Sequence, residues 1–153
     1  MAKFKALSRG TQIVLVAAPL LLLSLFFTWQ NLEVDYGPAG VATASLDGFD
    51  AWGLLLALLA LSTVTLVALR NLTDVDMSDD ISWERVAFGL GVATGAVAVV
   101  KSLTDAGSSW ASYGFVALAV AVGVGTYLDW AATRRASREP MLARKRRGIR
   151  PAA

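Results

Sequence analysis

The chain contains no cysteine and no histidine. Without cysteine there is no disulfide, no zinc–thiolate site and no iron–sulfur cluster. Without histidine the usual general base, the commonest metal ligand and the usual haem ligand are all missing. Charge is also scarce: Asp, Glu, Lys and Arg make up 17% of the 153 residues, where an ordinary soluble chain has about 25%. No glycine-rich phosphate loop, nucleophile elbow or pair of carboxylates on one apolar stretch is present. No catalytic residue, cofactor site or metal site is therefore expected, and the chain is read as a protein that is not an enzyme.

What the chain has in abundance is apolar side chains. Hydrophobic residues make up 56% and the mean hydropathy is +0.56. The charges lie in clusters between long uncharged stretches, whereas a water-soluble helix needs polar residues along its outer face. Four apolar stretches stand out, at about 11–29, 51–69, 83–103 and 110–130. Each is close to the ~20 residues with which a helix, rising about 1.5 Å per residue, crosses about 30 Å of hydrocarbon. No sustained two-residue alternation marks strands in these stretches, and lone strands would leave backbone groups unpaired in lipid. The fold class predicted is all-α: a polytopic membrane bundle of four transmembrane helices over residues 1–130, followed by a basic tail over 131–153. The segment 30–50 is read as the longest loop, with Tyr36-Gly37-Pro38-Ala39-Gly40 as a turn signal.

Tryptophan and basic residues supply two independent checks. Trp29, Trp52, Trp83, Trp110 and Trp130 all fall near the ends of the apolar stretches, where amphipathic indoles favour the headgroup level. Every Lys and Arg except Lys101 lies on one side of the predicted topology. The positive-inside rule then places both termini in the cytoplasm, with the first stretch read as an uncleaved helix rather than a signal peptide. The localisation expected is a plasma membrane crossed several times.

Small residues recur at one-turn spacing in the last two stretches: Ala87, Gly91 and Gly95, then Ala117, Ala121 and Gly125. Such stripes let helix backbones approach closely, either within the bundle or toward a partner. Pro19 lies inside the first helix and predicts a kink. No charge falls at mid-span, which counts against a proton-coupled transporter. The interior hydroxyls, such as Thr94 and Thr126, can bond their own helix carbonyls. Lys101 near a helix end is expected to snorkel to the outer surface, with Asp105 four residues on.

Two charged segments remain. Asp74-Val75-Asp76-Met77-Ser78-Asp79-Asp80-Ile81 has the opening of a calcium-binding EF-hand loop. However, Asp79 stands where the turn needs glycine and Arg85 where the bidentate glutamate belongs, so the reading favoured is a solvated loop with a cap on the third helix. The tail carries Arg134, Arg135, Arg138, Arg144, Lys145, Arg146, Arg147 and Arg150, with Pro140 expected to interrupt any helix. A juxtamembrane polybasic stretch gains about 1 kcal/mol per cation from an anionic leaflet, so these residues are assigned to anionic lipid. Nucleic acid is not expected as a partner, because no aromatic residues interleave with the charges to stack bases.

Phe26-Phe27-Thr28-Trp29, followed by Asp47-Gly48-Phe49-Asp50-Ala51-Trp52-Gly53, resembles the small four-helix membrane proteins of actinobacteria. In those, an aromatic-Trp pair ends the first helix and a Trp-Asp-Ala-type turn opens the second. The likeness covers the first ~60 residues and implies a bacterial plasma membrane, with no activity attached. The function expected is that of a non-catalytic membrane accessory subunit or scaffold, associating laterally through its small-residue faces with a membrane-protein partner or a second copy. The alternative is a small oligomeric channel or transporter subunit.

Overall fold

A computed structural model describes residues 4, 6–73, 81–104 and 110–148, with backbone alone for 39, 46, 110, 111 and 138–148. The chain is mostly helical. Helix α1 spans Arg9–Ser24, α2 Ala51–Leu72, α3 Trp83–Thr104 and α4 Trp110–Gly148. Helices α2, α3 and α4 are long and apolar enough to cross a membrane, and α1 is shorter. The helices form a closed ring in which α1 packs on α2 and α4, and α3 packs on the same two.

The distribution of apolar side chains is the reverse of a soluble bundle's. Large ones point outward all around the ring, with Leu23, Leu58 and Leu61 each more than half exposed. The interior is lined by a smaller set. Leu21, Leu25, Leu56 and Ala98 form one buried cluster, and Ala17, Ala18 and Val122 form another. The outward face suits hydrocarbon, since a helix apolar on every side has no surface for water.

Helix α1 ends at Ser24, five residues before the end of the first apolar stretch. The amides of Leu25, Phe26 and Phe27 bond three residues back, to Leu22, Leu23 and Ser24. That tighter turn closes the helix. The Ser24 carbonyl then accepts from Trp29 Nε1 at 3.0 Å, so the indole folds back and is fully buried. Apolarity extends through residue 29, but the helix does not, because the tryptophan caps it.

The segment read as a loop is a β-hairpin. Strand β1 (Gln30–Asp35) pairs antiparallel with β2 (Val41–Leu46), from Gln30 opposite Leu46 to Asp35 opposite Val41. The predicted turn is present as a short 3₁₀ turn over Gly37–Ala39. Gly37 and Gly40 take φ of 64° and 102°, conformations that favour glycine.

At the opposite end, α4 runs through Pro140 to Gly148. Pro140 was expected to break any helix there, yet the chain continues past it with one donor fewer. The acidic segment 74–80, Asp105 and Arg150 lie outside the described residues.

Candidate functional sites in the bundle

Three arrangements bring polar or small residues together. The first lies at the hairpin end. Asp50 is the N-cap of α2: its Oδ1 accepts from the Gly53 amide at 2.6 Å. The other carboxylate oxygen, Oδ2, lies 2.8 Å from Lys101 Nζ in the last turn of α3. The Lys101 side chain is completely buried, and its ammonium stands 5.1 Å from the centre of the Trp29 ring. Trp29 is stacked on Phe115 of α4 at 5.0 Å. This one cluster therefore joins the ends of all four helices. The expected snorkelling of Lys101 is overturned, because the N-cap carboxylate of α2 and the buried face of Trp29 meet its ammonium at the bundle end.

Two glycines make room for the cluster. The Gly48 amide donates to the Leu25 carbonyl at 2.8 Å, and a Cβ on Gly48 would stand 2.7 Å from Trp29 Nε1. A Cβ on Gly53 would run into the Gly48 carbonyl.

The second arrangement lies at the end of the bundle that carries the termini. Ser8 caps α1, accepting from the Thr11 amide at 3.0 Å. Asp129 of α4 accepts from the Ser8 hydroxyl through Oδ1, and from Thr11 Oγ1 at 2.9 Å through Oδ2. A carboxylate at a helix N-terminus is favoured by the helix dipole. Gly10 permits the approach, because a Cβ there would stand 2.5 Å from Asp129 Oδ1. Nearby, Arg70 of α2 pairs with Glu84 of α3.

The third arrangement is the set of small residues, and it divides in two. Gly91 faces Thr126 of α4 so closely that a Cβ would collide with the hydroxyl. A Cβ on Gly123 would stand 3.2 Å from the Gly91 carbonyl, and one on Gly125 would stand 2.8 Å from the Gly10 carbonyl. These glycines are the contacts of α3 and α1 with α4. Ala121 packs beside Val122 in the core, Ala87 is half-buried, and Gly95 has only the Ala119 carbonyl near, at 3.8 Å. Ala117 faces out and Ala119 takes the buried place expected of it. Around Gly89 and Gly114 there is nothing within 4 Å of an added Cβ.

No group of three His, Cys, Asp or Glu side chains that could hold a metal ion occurs among the described residues. The buried hydroxyls Thr63, Thr94 and Thr126 donate to carbonyls of their own helices at 2.7, 2.8 and 2.9 Å. Of the tail cations, Arg134 and Arg135 are exposed. Arg138, Arg144, Lys145, Arg146 and Arg147 continue α4, and their side chains lie outside the described set.

Sequence alone places Asp50 in the turn before α2 without a role and does not single out Gly10. A signal for Asp50 was present, in an acidic residue directly before an apolar helix. For Gly10 there was none, because its role depends on a helix more than a hundred residues away.

Compared with protein-family models, with curated proteins and with solved structures, the chain matches none.

Proposed function

We propose that the chain is a non-catalytic integral membrane subunit or scaffold. Its four helices cross a plasma membrane, with both termini in the cytoplasm and the hairpin outside, and it associates laterally with a partner helix or a second copy. The basic asymmetry of the sequence supports that orientation. Helix α1 is about 24 Å long at 1.5 Å per residue. The turn that follows adds the exposed Phe26 and Phe27, and a thinned or tilted local bilayer accommodates the remainder.

The observation that carries the lateral reading is the division of the small residues. Gly91, Gly123 and Gly125 are used up inside the bundle, so they are not the partner's surface. Gly89 opens outward, and Ala93 and Ala96 follow it on the same side of α3, half-buried and exposed respectively. Residues four and seven apart share a helix face. This leaves a smooth strip against which another helix can close.

The channel alternative gains no comparable support, since the buried hydroxyls of Thr63, Thr94 and Thr126 are bonded within their own helices. The test is purification of the full chain from its native membrane in mild detergent. Gly89→Leu should release the co-purifying protein, or the second copy, while the monomer elutes and melts as wild type. Unchanged association in Gly89→Leu would remove the proposed face.

A further inference from the structure

A cleft of about 480 Å³ opens at the terminal end, between the start of α3 and the part of α4 beyond Trp130. Arg85 and Arg134 line it, together with Ser82, Trp130 and Ser137. Glu84 is also on its wall, but that carboxylate is engaged by Arg70. Neither Arg85 nor Arg134 has a carboxylate within ion-pair distance among the described residues. Arg85 also acts on Glu84 at longer range, so the cleft presents two guanidinium groups against one carboxylate that Arg70 already holds.

One of the two is held in place. The Arg134 guanidinium lies over the Trp130 ring, 4.1 Å from its centre. Trp130 is itself stacked on Phe88 of α3, with centroids 5.0 Å apart and planes within 11°. Stacking on a ring face leaves the edge donors of a guanidinium available, and two such donors match two oxygens of a phosphate. The positive end of the α3 dipole adds to the same field.

The location selects the ligand. Trp130 and Tyr127 lie where the apolar part of α4 gives way to its basic part, which on the membrane reading is headgroup depth. Farther along the bundle, toward the hairpin, α3 and α4 expose Val86, Val92, Val120 and Val124, against which acyl chains can lie. Trp130 already carries Phe88 and Arg134, so it does not offer a nucleotide base a ready platform.

We propose that this cleft binds the phosphate of an anionic phospholipid in the leaflet at the terminal end, with Arg85 and Arg134 as the paired cations. The inference rests on the membrane reading above but not on any protein partner. It also separates Arg134 from the rest of the basic tail: Arg134 holds a headgroup at a built site, whereas the tail is attracted to the surface generally.

The full chain in detergent is titrated with phosphatidylglycerol, phosphatidylcholine and glycerol 3-phosphate, and adducts are counted by native mass spectrometry. The expected result is a first phosphatidylglycerol adduct that is weakened about tenfold, or about 1.4 kcal/mol, by Arg85→Gln and by Arg134→Gln. Arg146→Gln, in the tail, should leave that first adduct unchanged, and Arg134→Lys should retain part of it. Arg85 is exposed, so its variant folds even if loss of the Trp130 stack harms the other, and melting curves report the fold of each. Equal adducts in wild type and Arg85→Gln would overturn the site. So would equal affinity for phosphatidylcholine. Glycerol 3-phosphate binding as tightly as the lipid would overturn the lipid assignment. Gly89→Leu should not alter the adducts, so failure here and failure of the lateral-association reading are separable.

Discussion

Lys101 Nζ, on a side chain with no solvent exposure, lies 2.8 Å from the Oδ2 of Asp50, a residue 51 positions earlier whose side chain is 39% exposed. The two ends of this ion pair sit in different surroundings. Removing one partner of a buried pair is costly because it strands the other charge. Here the buried lysine depends on the pair more than the carboxylate does, since the carboxylate reaches solvent.

An asymmetry between two substitutions is therefore expected. Asp50→Asn keeps a good helix cap but takes a carboxylate away from the buried ammonium, and should destabilise the bundle by about 3 kcal/mol. Lys101→Met replaces the cation with an apolar chain of similar length and should cost about 1 kcal/mol or less. Thermal unfolding in detergent measures both. Equal losses would mean that the pair does not divide in this way.

The glycines of the internal interface should not tolerate growth. A Cβ at Gly91 meets the Thr126 side chain, so Gly91→Ala should cost about 1–3 kcal/mol by overpacking. Thr126→Ala in the same chain removes the obstructing atoms and should recover part of that loss, a non-additivity that a double-mutant cycle reads directly. Gly89→Ala, with open space around it, should be neutral or mildly stabilising through helix propensity.

The hairpin turn depends on Gly40, at φ 102° and ψ −173°, a region of backbone space that is essentially reserved to glycine. Gly40→Ala should cost the hairpin about 1–3 kcal/mol. The Tyr36 amide, which donates to the Gly40 carbonyl at 2.9 Å, should then exchange its hydrogen faster. Amides of Leu56 and Ala60 in the bundle should be unaffected, because the hairpin pairs chiefly with itself.

Much of this architecture is legible in the residues. The second, third and fourth helices begin at Ala51, Trp83 and Trp110 as their apolar stretches do. Hydrophobic length is a direct consequence of bilayer thickness, and so it survives without knowledge of tertiary contacts. The end of α1 is not legible in the same way, because Leu25–Trp29 are as apolar as what precedes them and the helix is closed by an indole folding back. The hairpin did leave a trace: Leu32 and Val34 alternate with Glu33 and Asp35 ahead of the Gly-Pro turn. A run of that length is short beside the membrane stretches, so its period-2 signal is weak. Glycine spacing marked the packing stripe but not the side it faces. That depends on the position of α1, since Gly10 and Gly125 meet across the chain. The burial of Lys101 was hidden for the same reason: its partner, Asp50, comes from a loop that sequence spacing does not connect to α3.

Orientation in the membrane underlies both the lateral face and the lipid cleft, and the absence of cysteine makes it directly measurable. Single cysteines are placed at Asp47, beside the hairpin, and at Ser137, on α4 past Trp130; both sites are exposed. Intact cells are treated with a membrane-impermeant maleimide and then compared with lysed cells. Asp47→Cys should be labelled in both, and Ser137→Cys only after lysis. Labelling of Ser137→Cys in intact cells, with Asp47→Cys protected, would contradict the orientation and the assignment of the arginine cleft to the cytoplasmic leaflet.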